Sequence, residues 1–289
     1  MKEVAILITV HNRREITLRG LETLRKAINQ MDKKEYHYDT FLVDDGSTDG
    51  TYESVSKKFP EVYLYKGDGN LFWVHGMQLA WKKAVETKDY DYFLWFNDDN
   101  ELFEKALVIM FASSNENPNC VICGAFCDKA GNPTYCGRKK KYELLEPNGK
   151  CQEIDRMHGN FVLIPKEIYK KTGMMDIRFI HNFGDFDYGF KVQKAGFSIL
   201  LVPEYIGFNE FHDDELMDHL HEMHLMKRLK LLYHPQYHPK YSFYFHKKHL
   251  GLAIAIKNYV NQYLFILFPS YKDFFKYIHE LRWGKKNYR

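Results

Sequence analysis

Short apolar runs alternate with amphipathic stretches through the first hundred positions. Val4 to Val10 reads as a buried strand. Glu15 to Met31 then carries Ile16, Leu18, Leu21, Leu24, Ala27 and Ile28 near helical spacing. Tyr38 to Val43 predicts a second strand, Gly50 to Phe59 a short helix and Val62 to Tyr65 a third strand. Gly76 to Thr87 predicts a helix and Tyr90 to Phe96 a fourth strand. Strands separated by helices imply right-handed crossovers and a mostly parallel central sheet flanked by helices, an α/β fold.

Beyond residue 100 the pattern loosens. Glu104 to Asn115 reads as a helix, Cys120 to Asp128 as one strand, and Asp128 to Pro133 as a turn cluster. Phe161 to Ile164 and Ser198 to Val202 read as strands, with a helix over Gly184 to Ala195. From Asp213 onward His, Lys and aromatic residues crowd together, with helical patterns over Glu215 to Leu232 and Phe243 to Phe268. The expected division is therefore a domain over 1–212 and a C-terminal helical appendage over 213–289. The charge-free run between Lys257 and Lys272 is 14 residues, short of the roughly 20 that span a bilayer. Basic residues beside Tyr, Phe and Trp suit an interfacial helix on an anionic membrane surface. Packing of the same face on the first domain is the other reading.

The 289 residues suffice for a full core, and a net charge of +3 gives no case for nucleic acid. Five cysteines without an export signal point to reduced thiols and a cytoplasmic protein. Cys120, Cys123 and Cys127 lie in a strand-like run with no second CxxC pair, which favours core thiols over zinc.

Candidate chemistry sits at strand ends. Leu42-Val43-Asp44-Asp45-Gly46-Ser47 sets two carboxylates after an apolar run, and Phe96-Asn97-Asp98-Asp99 repeats the device. Open α/β sheets bind ligands at such carboxyl edges. The first strand ends in Val10-His11-Asn12-Arg13. A pyrimidine base offers an N–H donor and carbonyl acceptors, which a carboxylate and a backbone amide or Asn match. Asp49 suits a helix cap.

These three strand ends resemble the family 2 glycosyltransferases of the GT-A fold. Gly67-Asp68-Gly69-Asn70-Leu71-Phe72-Trp73 with Gly76-Met77 is similar to a rhamnosyltransferase-like, cell-envelope polysaccharide subgroup. So is Gly159-Asn160-Phe161 through Pro165 with Gly184-Asp185-Phe186-Asp187-Tyr188-Gly189. The likeness covers roughly residues 3 to 212. It implies inverting transfer from a UDP- or dTDP-sugar to a glycan or lipid-linked acceptor, at the cytoplasmic face of a membrane.

The same resemblance implies roles. Val10, His11, Asn12, Arg13, Asp44 and Asp45 would bind the donor, with Asp98 helping electrostatically. Asp99 would hold Mn²⁺ or Mg²⁺ with His212, while Asn97 departs from the acid often found there. Asp185 would be the catalytic base, preferred to Asp187. Gly69 and Asn70 form a turn that lets backbone approach the diphosphate, and Trp73 either stacks on the sugar or packs in the core. His219, His221 and His224 do not share a helical face, and the run Arg138 to Lys141 reads as a solvated loop or an anionic-lipid contact. A non-catalytic nucleotide-sugar or glycan-binding protein and a zinc module remain as other readings. A nucleotidyltransferase would want glycines in the first loop, where this chain has Thr-Val-His-Asn-Arg-Arg.

Overall fold

Four parallel strands place the acidic ends side by side. In the computed structural model, which describes residues 1–139, 143–210 and 219–283, these are β1 (Lys2–Val10), β2 (Tyr36–Asp44), β3 (Tyr63–Lys66) and β4 (Tyr92–Phe96). Val4 through Ile8 of β1 have no exposed surface, as a central strand covered on both faces requires. Val10 of β1 lies opposite Asp44 of β2, and Leu7 lies opposite Trp95 of β4. The carboxyl ends of β1, β2 and β4 therefore open onto one edge.

Between them run α1 (Arg14–Asn29), α2 (Thr51–Lys58) and α3 (Phe72–Thr87). Leu21, Leu24 and Ala27 form the buried face of α1. Gly20 on that helix touches the β4 turn: an added Cβ would stand 2.2 Å from the Asp98 carbonyl oxygen.

Past β4 come β5 (Glu101–Leu102), α4 (Ala106–Glu116), β6 (Cys120–Cys123) and β7 (Phe126–Cys127). Next are β8 (Gly137–Lys139), β9 (Glu143–Leu145), β10 (Gln152–Glu153), β11 (Phe161–Pro165) and α5 (Lys166–Thr172). Then follow α6 (Gly184–Lys194), β12 (Ser198–Leu201) and β13 (Gly207–Phe208). The large sheet has the order β10-β12-β6-β11-β4-β1-β2-β3. Its β11 is antiparallel to β4, with Phe161 opposite Phe96, which brings Asn160 beside Asn97. A small sheet, β5-β13-β7, flanks the β4 end, and β8 pairs with β9.

Several predicted elements change. The helix expected over Glu215 to Leu232 is, among the described residues, a 3₁₀ turn at Leu220–Glu222 and a helix over Leu225–Leu231. The loop expected over Arg138 to Lys141 opens in β8, with its last two residues outside the described ones. The strand expected over Cys120 to Asp128 splits into β6 and β7, in different sheets. At the break, a Cβ on Gly124 would stand 2.6 Å from Ile206. The helix expected from Gly76 begins at Phe72, because the Asp45 carboxylate takes the Leu71 and Phe72 N–H groups. The helix expected over Phe243 to Phe268 divides at Gly251, whose φ of 95° favours glycine, into α8 (Pro239–His249) and α9 (Leu252–Leu267).

Before α8 lies α7 (Leu225–Leu231), and α10 (Pro269–Trp283) follows α9. Tyr241 and Phe245 of α8 join the main core, whereas Leu220, Leu231, Leu232 and Ile266 form a separate small cluster. Leu252, Ile256 and Val260 of α9 are exposed. No described helix is long and apolar enough to cross a membrane. All five thiols are free, and burial pushes Cys123 and Cys136 up to about 12.

Candidate active site

The first strand end and the DDGS turn are tied together. Asn12, with a φ of 50°, donates its backbone N–H to Ser47 Oγ at 2.8 Å and accepts the Thr48 N–H on Oδ1 at 2.7 Å. The His11 ring bonds the Asp45 carbonyl oxygen at 2.6 Å. Asp44 is buried; its Oδ1 accepts the Ser47 N–H at 2.7 Å, and its Oδ2 has no partner among the described residues. Asp45 accepts the N–H groups of Gly69, Leu71 and Phe72, each at 2.9 Å. Charge-assisted bonds of this kind are strong, so Asp45 anchors the 67–72 loop. A Cβ on Gly67 would stand 2.6 Å from Asp45 Oδ1. Asn70 points to solvent, with its backbone N–H on Asp68 Oδ1.

At the β4 end the three positions diverge. Asp98 is buried, with Thr17 Oγ1 donating at 2.6 Å and Arg13 at 3.0 Å. Burial pushes the Asp98 carboxyl up to about 6, against the lowering pull of Arg13 and Thr17. Arg13 reaches on to Asp99 Oδ2 at 3.0 Å. Burial opposes the Arg13 charge, but the two carboxylates outweigh it and raise its pKa. Asp99 is the partly exposed acid, and Asn209 Nδ2 donates to its Oδ1 at 3.1 Å. As a hard oxygen donor at the sheet edge it fits Mg²⁺ or Mn²⁺, which take few protein ligands beside phosphate oxygens and water. His212, the other expected ligand, lies outside the described residues.

Asn97 turns the other way. Its Oδ1 accepts the Trp73 indole N–H at 2.8 Å, and its Nδ2 donates to Asn160 Oδ1 at 3.1 Å. Trp73 is wedged against Gly159, where a Cβ would stand 2.6 Å from the ring, and meets Trp95 edge-on. Trp73, Asn97, Gly159, Asn160 and Asp185 line one cleft of about 450 Å³. Asp185 Oδ2 accepts the Gly159 N–H at 3.0 Å, and Oδ1 accepts the Phe186 N–H at 2.8 Å. Burial pushes this carboxyl up to about 6, against those two N–H bonds.

Asp187, two residues on, is fully buried and faces the end of α8. Lys248 Nζ lies 2.6 Å and His249 Nε2 2.7 Å from its Oδ1. Among the described residues the non-glycine positive φ angles belong to Asn12, Phe72 and Phe183. Two belong to the anchored turns and the third lines the cleft, where strain of this kind tends to concentrate.

Some participants escape sequence reading. Thr17 is a polar residue on the apolar face of α1, a signal that it meets a buried partner. Asn209 bonds both Asp99 and Asn100, and nothing in its local sequence marks it. His158, buried behind Gly159, has its pKa lowered to about 4 by burial and meets the Gly124 carbonyl at 3.1 Å.

A family model for glycosyl transferase family 2 matches residues 5–173. A Rickettsia typhi protein named as an uncharacterized glycosyltransferase is 24% identical over 222 residues, spanning 73% of this chain and 64% of that one. The chain thus covers less than two thirds of that relative's length. The fold is similar to S. aureus TarS 1–349 in complex with UDP-GlcNAc, with a TM-score of 0.56, 13% identity, and coverage of 91% of this chain and 79% of that one. The mannosyltransferase PcManGT from Pyrobaculum calidifontis, in complex with GDP-Man and Mn²⁺, gives 0.54 at 12% identity over 90% and 73%. GalNAc-T7 with UDP, GalNAc and Mn²⁺ gives 0.54 at 14% identity over 73% and 45%. With the family model spanning more than half of its residues, the chain belongs to glycosyl transferase family 2, and its fold is GT-A.

Proposed function

We propose that the protein transfers a sugar, with inversion, from a UDP- or dTDP-sugar to a hydroxyl of a glycan or lipid-linked acceptor. The observation that carries this reading is Asp185, a carboxylate held by two backbone N–H groups in the cleft that Asn97 also lines. In a single displacement the acceptor oxygen bonds to the anomeric carbon while the bond to the diphosphate breaks. Asp185 takes the acceptor's proton, the task of a general base. Val10, His11, Asn12 and Asp44 form the expected base and ribose side, with Gly69 and Asn70 nearer the diphosphate. Asp45 and Arg13 act there by holding the loop and the acidic pair, and Trp73 by shaping the cleft.

Asp99, with His212 assigned on resemblance alone, would hold Mn²⁺ or Mg²⁺. Such a cation neutralises charge on the departing diphosphate. The UDP-GlcNAc of the TarS complex and the GDP-Man and Mn²⁺ of PcManGT support this donor and metal class. The domain over 1–212 would carry this chemistry. The helices over 213–289 would rest on the anionic cytoplasmic face of a membrane, in cell-surface polysaccharide synthesis.

Release of nucleoside diphosphate from a panel of UDP-, dTDP- and GDP-sugars with Mn²⁺ tests the activity. Asp185→Asn is expected to keep nucleotide affinity and to lose about 10²–10⁴-fold in turnover. Normal turnover by that variant would refute the assignment. Nucleotide binding without turnover of any donor would make the protein a binding module instead.

A further inference from the structure

Two chains of hydrogen bonds converge on Asn160, just before β11. The first begins at the Trp73 indole, whose N–H can only donate. It donates to Asn97 at 2.8 Å, so the Asn97 atom there is the acceptor Oδ1 and the other amide atom is the donor Nδ2. That Nδ2 donates to Asn160 Oδ1 at 3.1 Å, which leaves Nδ2 as the remaining amide group of Asn160. One indole N–H thus fixes which way both amides face. The second chain begins at the Asp99 carboxylate, which only accepts. Asn209 Nδ2 donates to Asp99 Oδ1 at 3.1 Å and to Asn100 Oδ1 at 2.7 Å. Asn100 Nδ2 then donates to the Asn160 carbonyl oxygen at 2.8 Å, and the Asn97 N–H joins it there at 2.9 Å. Backbone and side chain of Asn160 are therefore both held.

Asn160 is only 8% exposed, and it lines the cleft that holds Asp185. Its Nδ2 has no partner among the described residues. A ligand that fills the cleft and displaces water from this group must offer it an oxygen acceptor, because an unpaired buried donor is costly. Position selects the ligand. In a single displacement the sugar ring lies between the diphosphate on the Asp99 side and the hydroxyl that faces Asp185. Asn160 is tied to Asp99 through Asn100 and Asn209, and its neighbour Gly159 donates to Asp185 at 3.0 Å.

We infer that Asn160 Nδ2 reads an oxygen substituent, a hydroxyl or an N-acyl carbonyl, on the ring of the sugar being transferred. Trp73 and Asn97 act as positioning residues that keep its donor turned to the cleft. The inference rests on the transferase reading and adds a specificity determinant to it. A sugar with hydrogen in place of that oxygen leaves the donor unpaired and is disfavoured.

Calorimetric titration of the full chain with Mn²⁺ tests this. UDP-glucose, UDP-galactose, UDP-N-acetylglucosamine, dTDP-glucose and dTDP-rhamnose are compared with bare UDP or dTDP, followed by the monodeoxy forms of the tightest binder. In the wild type one monodeoxy form is expected to bind about tenfold more weakly than its parent, the worth of one such hydrogen bond. Asn160→Ala should weaken the parent by a similar factor, leave that deoxy form unchanged and bind the bare diphosphate normally, the signature of a direct pair. Trp73→Phe keeps a ring but frees the Asn97 amide to turn over, and should reduce the preference with bare diphosphate affinity intact.

The same discrimination in wild type and Asn160→Ala would overturn the proposal, as would a wild type indifferent to every deoxy form. An Asn160→Ala loss shared equally by the bare diphosphate would show a purely structural role and overturn it too. Each of these leaves the transferase reading standing. Failure of both UDP and dTDP to bind with Mn²⁺ would instead undo that reading, and the role of Asn160 with it.

Discussion

Asp185 combines two properties a general base needs: a fixed position, from the Gly159 and Phe186 N–H groups, and a carboxyl pushed up to about 6 by burial. The base must be ionised to accept a proton. The kcat/KM for transfer is therefore expected to hold above pH 6 and to fall about tenfold per pH unit below it. A pH–rate profile with no break near pH 6, in a wild type of normal activity, would show that another group takes the proton. Residue types at the strand ends were legible, since Asp-Asp-Gly-Ser and Asn-Asp-Asp are local patterns. The partners of each oxygen were not. Asp45 looks like Asp44 in sequence, yet it holds the 67–72 loop through three N–H groups while Asp44 keeps one oxygen unpartnered among the described residues. That difference arises from a loop more than twenty residues away, which periodicity does not reveal.

Among the elements, β1, β2 and β4 follow directly from apolar runs, because central parallel strands are buried on both faces, while β3 is a half-exposed edge strand. The failures fall where one residue redirects the chain, as at Gly124 between two sheets and at Gly251 between two helices. Helix α6 shows why the C-terminal segment matters to the site. It presents Asp185 to the cleft, and through Asp187 it is bound to Lys248 and His249 of α8. Lys248 also reaches Asp176 Oδ2 at 2.9 Å. Removing one member of a buried ion pair is costly, so Lys248→Met is expected to destabilise the fold by about 3 kcal/mol. Urea unfolding of Lys248→Met, Asp187→Asn and the double variant checks this. A double variant that loses much less than the sum of the singles identifies the pair as coupled, and strict additivity would deny the link.

Across the whole molecule, the strand-end turns, the Asp185 cleft and the C-terminal helices meet, with Tyr241 and Phe245 of α8 packed into the main core. The sequence left open whether these helices pack on the domain or face a membrane. Their faces differ: α8 is packed inward, while α9 exposes Leu252, Val260 and Lys257, and α10 exposes Phe274 and Tyr277. Co-sedimentation with vesicles rich in anionic lipid is expected at low salt and to weaken as salt rises; equal binding to neutral vesicles would contradict that placement. The most direct test of the central claim is calorimetric titration of UDP, with and without Mn²⁺, into the wild type, Asp99→Ala and His212→Ala. Tight binding is expected only with Mn²⁺, and its loss is expected in Asp99→Ala. Binding that ignores Mn²⁺, or that survives Asp99→Ala unchanged, would contradict a metal-assisted donor site at the end of β4.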